Sequence, residues 1–375
     1  MPVMKALVKP CGERGLRLVH DVPRPEIGPH EVLLRVLAAS ICGSDIHIYD
    51  DDPVFRERVP DGLVIGHEFC GLVEAVGSGV DTVAVGDIVA AESHVVCGSC
   101  FYCLNGLAHI CQEITGIGFD RAGGFAEYVA IPAANAFLKP ANLSVEVAAF
   151  LEPFGNALDT AGCVDLFNKQ VLITGCGPQG LMALAIAKAA GARRVIATEV
   201  SPFRRQLAQR MLSLHTPPRQ QLQDLVLDAS RPDVTDHIFE ATDGLGVDVV
   251  LEMSGHPAAI ADGCTVLKNG GDFVALGLPA QPVEFDWSNH LVLKGATFHG
   301  IYGRHLYQTW FKACALLETG AVQLDALITH YLPLERFAEG FELLKRGQAA
   351  KVILYPDPNH PLIAHRPGGS DTTHG

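Results

Sequence analysis

Gln170-Val-Leu-Ile-Thr174, then Gly175-Cys-Gly177-Pro-Gln179-Gly180, then the stretch 181–190 are, in order, an apolar run of strand length, a glycine-rich loop and an apolar run of helical length. The loop fits G-x-G-x-x-G in the setting that gives the motif meaning, after a strand and before a helix. Gly175 permits the tight turn, Gly177 lets backbone approach a pyrophosphate, and Gly180 lets the helix pack on the strand. The N–H groups that open the helix then face the anion. A second strand, 195–198, completes a βαβ unit, and Glu199 follows directly. A carboxylate there accepts hydrogen bonds from ribose hydroxyls and repels a 2′-phosphate, which favours NAD over NADP. Arg204 and Arg205 work the other way, since arginine pairs with such a phosphate, although Arg205 also reads as part of a surface helix face.

Outward from this unit, strand-like runs at 247–252 and 272–276 enclose a helical stretch at 258–267, so the alternation continues as a doubly wound parallel sheet. Upstream, to about residue 150, short runs at 31–37, 71–76, 87–91 and 126–131 alternate or run apolar between glycine turns, the pattern of an irregular, barrel-like β domain. After Trp310 the chain reads as a helix to Glu318, a β run at 327–331, a helix at 335–346 and a strand at 351–354. Residues 215–222, with Pro217 and Pro218, read as a surface loop, and 356–375 as a mobile tail.

A chain of 375 residues, 48% hydrophobic and 19% charged, has room for two globular domains. Its 28 Lys and Arg against 42 Asp and Glu give a net charge of −14. That field repels nucleic-acid phosphates and anionic membrane surfaces. No apolar run reaches the roughly 18 residues of a membrane span, so neither nucleic acid nor membrane is expected as a partner. Eleven cysteines, an odd number, behind a start unlike a signal peptide point to a reduced, cytoplasmic chain in which clustered cysteines hold metal.

The cluster is Cys97-Gly-Ser-Cys100-Phe-Tyr-Cys103 with Cys111, a C-x2-C-x2-C-x7-C spacing that lets four thiolates wrap one tetrahedral cation. A closed tetrathiolate leaves no position for substrate, so zinc here is structural; chance clustering and an iron–sulfur cluster are the competing readings. A looser set, Cys42-Gly-Ser44-Asp-Ile-His47 and Gly66-His67-Glu68, brings a thiolate, an imidazole and carboxylates from separate loops, the donor mixture of a catalytic zinc with one open position. Glu152 follows the β domain near the domain junction and alternatively reads as a helix-start acid beside Pro153.

A zinc-carrying β domain before a dinucleotide-binding fold resembles the medium-chain dehydrogenase/reductase superfamily of zinc-dependent alcohol dehydrogenases. The strings CGSDIHIYD (42–50), VIGHEFCGLV (64–73), EPFGNALDTA (152–161), LEMSG (251–255), GIYGRHLYQTW (300–310) and GQAAKVIL (347–354) are similar to its threonine-oxidising branch. The resemblance implies NAD-dependent oxidation of the 3-hydroxyl of L-threonine to 2-amino-3-oxobutyrate, with a polyol or 2,3-diol dehydrogenase of the same superfamily as the alternative and a non-catalytic nucleotide-binding protein, against which Cys42, Ser44, His47, His67 and Glu68 argue, as the remoter one. It implies one catalytic and one structural zinc per subunit and a homotetramer. Carried over, it makes Cys42, His67 and Glu68 the catalytic zinc ligands, brings Glu152 to that zinc, and makes Ser44 and His47 a proton relay. Nucleotide contacts would come from Gly175, Gly177, Gln179, Gly180, Glu199, Arg204, Leu276, Gly277, Leu278, Ile301 and Tyr302. The implied architecture is α/β: a GroES-like zinc-binding catalytic domain at 1–155, a Rossmann NAD-binding domain at 156–300, and a return to the first domain at 301–355. The sequence departs from the family at Asp50-Asp-Asp-Pro-Val-Phe55, where a Trp-containing segment is usual, and at Asp159, where histidine is usual.

Overall fold

The computed structural model describes residues 2–216 and 222–363. The chain divides into two units, Met1–Glu152 with Ile328–Gly375, and Pro153–Leu327.

Glu31–Ser40 is the central strand of the first unit. Eight of its ten residues are buried, because it is paired on both edges and covered on both faces. It runs antiparallel to Glu68–Val76 on one side, and on the other to Tyr128–Pro132 and then Lys351–Tyr355. Ile88–Ala91, Ala136–Leu138 and Ile328–Pro333 extend the sheet. Leu34, Val36, Phe69, Val89, Val129 and Ile131 share one core with Leu332, Phe341, Val352 and Leu354, so the C-terminal segment is built into the first unit. The register sets Glu68 opposite Ser40 and Ser40 opposite Ile353, which brings the start of the C-terminal strand to the start of Glu68–Val76.

The second unit is a six-stranded, wholly parallel sheet. In space its strands run Leu225–Asp228, Arg194–Glu199, Gln170–Thr174, Val247–Glu252, Leu267–Ala275 and Thr297–Gly300, which is the order 3-2-1-4-5-6 of a dinucleotide-binding fold. Gln170–Thr174 and Val247–Glu252 are buried at every position, which explains their unbroken apolar character. Leu225–Asp228, absent from the sequence reading, is a half-buried edge strand of four residues.

Two boundaries differ from expectation. The segment 301–327 belongs to the second unit, and the return begins at Ile328. The reason is local: Trp310, Ala313 and Leu317 bury one face of the helix Gln308–Glu318, and buried Arg304 donates to Asn156 Oδ1 at 3.0 Å. Asp159 accepts bonds from His305 and from Thr309 Oγ1. The tail expected to be mobile is docked over its first residues: Pro356 and Ile363 are buried, and the Pro356 carbonyl accepts from Lys5 Nζ at 2.8 Å. The remainder of that tail, 364–375, and the proline pair of the expected 215–222 loop lie outside the described residues; His215 itself ends the helix Pro202–His215.

Candidate metal centres and dinucleotide loop

Cys97, Cys100, Cys103 and Cys111 converge in the first unit with all four sulfurs within 4.8 Å of one another. Sulfur pairs stand 3.5 Å (Cys111–Cys97), 3.8 Å (Cys100–Cys111) and 4.0 Å (Cys97–Cys103) apart. A zinc–sulfur bond of about 2.3 Å gives a tetrahedron with edges of about 3.8 Å, so the quartet fits that ion without rearrangement. Backbone N–H groups of Cys103 and Gln112 hold the Cys100 thiol down to about 6, and those of Ser99 and Cys100 lower Cys97. Gly98 takes φ +72°, a left-handed turn that wraps the loop back on itself.

Cys42, His67 and Glu68 form a second group with ligand atoms within 4.8 Å. Cys42 is the N-cap of the helix Gly43–Tyr49, and its N–H donates to Asp45 Oδ2 at 2.8 Å. His67 Nδ1 lies 3.4 Å from Asp45 Oδ1, its Nε2 lies 3.4 Å from Ser44 Oγ, and its ring packs on Phe119. Burial disfavours the imidazolium, yet Asp45 and Cys42 outweigh it and hold the ring well above its ordinary pKa. The same negative field draws a cation. Glu68 is fully buried; one oxygen accepts from Lys351 Nζ, and the other, Oε1, has no hydrogen-bond partner. A soft sulfur, an imidazole and a buried carboxylate oxygen with free lone pairs are the donors zinc takes.

Glu152 is not one of the three residues of this group. Its Oε1 accepts from Ser93 Oγ at 2.6 Å, and it clusters with Glu92 and His94, two residues the sequence reading missed. The only signal for them is a Glu-x-His spacing, which puts both side chains on one side of an extended strand. His47 is exposed, with Nδ1 3.3 Å from Asp52 Oδ2 and its ring stacked on Phe55, a residue of the segment that departs from the family.

In the second unit the glycine loop has the geometry the motif requires. Gly175 takes φ +84°; a Cβ on Gly180 would stand 1.9 Å from the Gly175 carbonyl oxygen; a Cβ on Gly177 would meet nothing within 4 Å. Gly175 and Gly180 are closed by the protein itself, and Gly177 is open at the N-terminus of the helix Pro178–Ala189, where a pyrophosphate fits. Gln179 Oε1, in the first turn, is buried without a partner. Glu199 already accepts from the N–H groups of Cys176 and Ser201, both at 2.8 Å, so it ties the loop to the second strand as well as offering lone pairs to a ribose. Gly175, Gly177, Glu199, Arg204, Ser254 and His256 line one cavity of about 340 Å³. Arg204 Nε is buried there without a partner, whereas Arg205 binds the carbonyls of Glu199 and Val200 and pairs with Asp228.

Leu276 and Gly277 donate to the Glu252 carbonyl, and Gly277 has no room for a side chain, since its Cβ would stand 2.1 Å from Gly255 N. Leu278 and Tyr302 are exposed, and Ile301 N–H donates to the Ala275 carbonyl. All five follow the carboxyl ends of parallel strands, the edge at which such sheets bind ligands.

Residues 28–141 match the family described as alcohol dehydrogenase GroES-like domain, and residues 178–319 match zinc-binding dehydrogenase. The chain belongs to the zinc-binding alcohol dehydrogenases. Among members of this family it is 45% identical over 353 residues to L-threonine 3-dehydrogenase of Bacillus subtilis, covering 94% of this chain and 99% of that one. It is 41% identical over 351 residues to the protein of the same name in Alteromonas mediterranea, with 94% and 99% covered. Solved zinc-binding alcohol dehydrogenases share the fold. A 2R,3R-butanediol dehydrogenase from Bacillus subtilis superposes with a TM-score of 0.83 at 29% identity, covering 94% of this chain and all of that one. A zinc-binding dehydrogenase from Sinorhizobium meliloti, bound to NADP, superposes with a TM-score of 0.83 at 28% identity, covering 95% and 100%. The expected pairing of a GroES-like domain with a Rossmann domain therefore holds.

Proposed function

We propose that this chain oxidises the 3-hydroxyl of L-threonine to 2-amino-3-oxobutyrate with NAD. The observation that carries the reading is identity of 45% with a threonine dehydrogenase along 94% of the chain, together with the Cys42, His67 and Glu68 donor set. Zinc held by those three residues would supply the Lewis acidity that lowers the pKa of a secondary alcohol, and NAD would supply the hydride acceptor. Ser44 Oγ would accept the hydroxyl proton as it passes its own on, through the cofactor ribose hydroxyl, to His47, which is exposed on the same short helix and releases a proton to water. Glu152 does not join the zinc ligands in this reading; with Glu92 and His94 it makes a separate acid–base group. Gly177, Gln179 and the helix start hold the pyrophosphate, while Glu199 holds the adenosine ribose and selects NAD. Leu276, Gly277, Leu278, Ile301 and Tyr302 form the remaining nucleotide contacts. The cysteine quartet holds a second zinc that supports its lobe and takes no part in the reaction.

The reading extends to a cytoplasmic homotetramer. Eleven free thiols favour a reducing compartment, and exposed Trp287 and Leu293 on the second unit favour self-association; native mass by light scattering checks the assembly. Among the described residues no helix is long and apolar enough to cross a membrane. The substrate is tested by NADH formation from a panel of L-threonine, L-serine, 2,3-butanediol and sorbitol. Threonine is expected to give the highest kcat/KM. Faster oxidation of the diol, the activity named for one structural neighbour, would overturn the reading.

A further inference from the structure

Lys351 is a charged residue in a strand that is buried at every position, and its side chain is only 2% exposed. Burying an ion pair costs several kcal/mol of desolvation per charge, and hydrophobic residues of the same volume do as well or better for stability. Such a pair therefore invites a reason beyond folding. Its partner is Glu68, 283 residues away in sequence, and the pairing uses one carboxylate oxygen, Oε2. Oε1 is buried and accepts nothing. The ammonium also lies 5.6 Å from the centroid of the Phe150 ring, which fixes it from the other side. The C-terminal strand reaches this place because Ile353 pairs with Ser40, and Ser40 with Glu68.

We infer that Lys351 is a positioning residue for the metal centre: by holding Oε2, it presents Glu68 to the cation through Oε1 alone. A carboxylate free of such a partner chelates through both oxygens or swings away, and either change alters the coordination number. Outer-sphere partners of this kind are worth about 10–100-fold in metal affinity. The inference rests on the assignment of Cys42, His67 and Glu68 as ligands, and its test does not depend on the substrate.

The experiment uses the full-length protein with cobalt at the Cys42, His67 and Glu68 site and zinc kept at the cysteine quartet; the cobalt is read by its visible absorption, and zinc affinity at that site is measured by chelator competition. Lys351→Met is expected to weaken zinc binding at least tenfold and to dim the intense four-coordinate cobalt bands, which are weaker at higher coordination number. Lys351→Arg, which keeps a cation, restores both. In a Glu68→Gln background, Lys351→Met changes neither, because the carboxylate it holds is gone. If Lys351→Met leaves cobalt spectrum and zinc affinity as in the parent while merely lowering the melting temperature, Lys351 serves folding alone and the inference fails. Should Cys42→Ser retain the same cobalt spectrum, the ligand assignment itself is wrong, a distinct outcome from the first.

Discussion

His47 and Glu68, which the proposed reading assigns to one reaction, are placed very differently. Glu68 is sealed from water and held by a buried lysine, whereas His47 has 61% of its side chain exposed and faces Asp52. A group that delivers a proton to solvent needs exposure and a side chain that both takes up and gives away protons, and the exposed imidazole of His47 supplies both. His47→Asn is expected to lower turnover about 10²-fold, the low end of acid–base contributions, with both zincs retained; loss of a zinc would make His47 a ligand instead. The four-cysteine spacing, Cys42, His67 and the glycines were legible in the sequence because metal and phosphate chemistry restricts residue types at fixed spacings. Lys351, Asp45, Glu92 and His94 were not, because each acts on a partner that only the sheet register or a loop brings near. The apolar surroundings of Lys351 in Lys351-Val-Ile-Leu354 were the one available hint.

At the scale of elements, the helix Pro178–Ala189 and the loop before it form the anion site, and two glycines within it should fail in different ways. Gly180→Ala places a Cβ against the Gly175 carbonyl oxygen, so the helix must move off the strand; lower melting temperature and lost NAD affinity are expected together. Gly177→Ala meets open space at φ −65°, an ordinary conformation for alanine. Its melting temperature should stay within about 0.5 kcal/mol of the parent in equivalent stability, while NAD affinity, measured by calorimetry, falls because the methyl group occupies pyrophosphate space. Equal affinity in both variants and the parent would remove the loop from the nucleotide site. Strands buried on both faces were readable as apolar runs, and Gln170–Thr174 and Val247–Glu252 match residue for residue. The edge strands Leu225–Asp228 and Thr297–Gly300 are four residues long and mostly half-buried or exposed, too short for periodicity to stand out.

For the whole molecule, the glycine loop and cysteine spacing predicted one zinc-bearing and one nucleotide-binding unit, and the fold supplies both. The family resemblance implied a return to the first unit from residue 301; the chain makes it at Ile328, where it completes that unit's sheet and brings Lys351 to Glu68. The residues from 301 to that point stay with the second unit through contacts of Arg304, His305 and Thr309 with the helix Leu151–Gly162, none of which has a sequence signature. The central claim is that the chain carries two zinc sites and that only the one at Cys42, His67 and Glu68 supports oxidation of threonine. The most direct test counts zinc per chain in Cys42→Ser by elemental analysis, with threonine-dependent NADH formation followed on the same sample. The account predicts that one of two zincs is lost, that the fold and the quartet's zinc persist, and that NADH formation ceases. Retention of both zincs, or undiminished oxidation of threonine after one is lost, would contradict it.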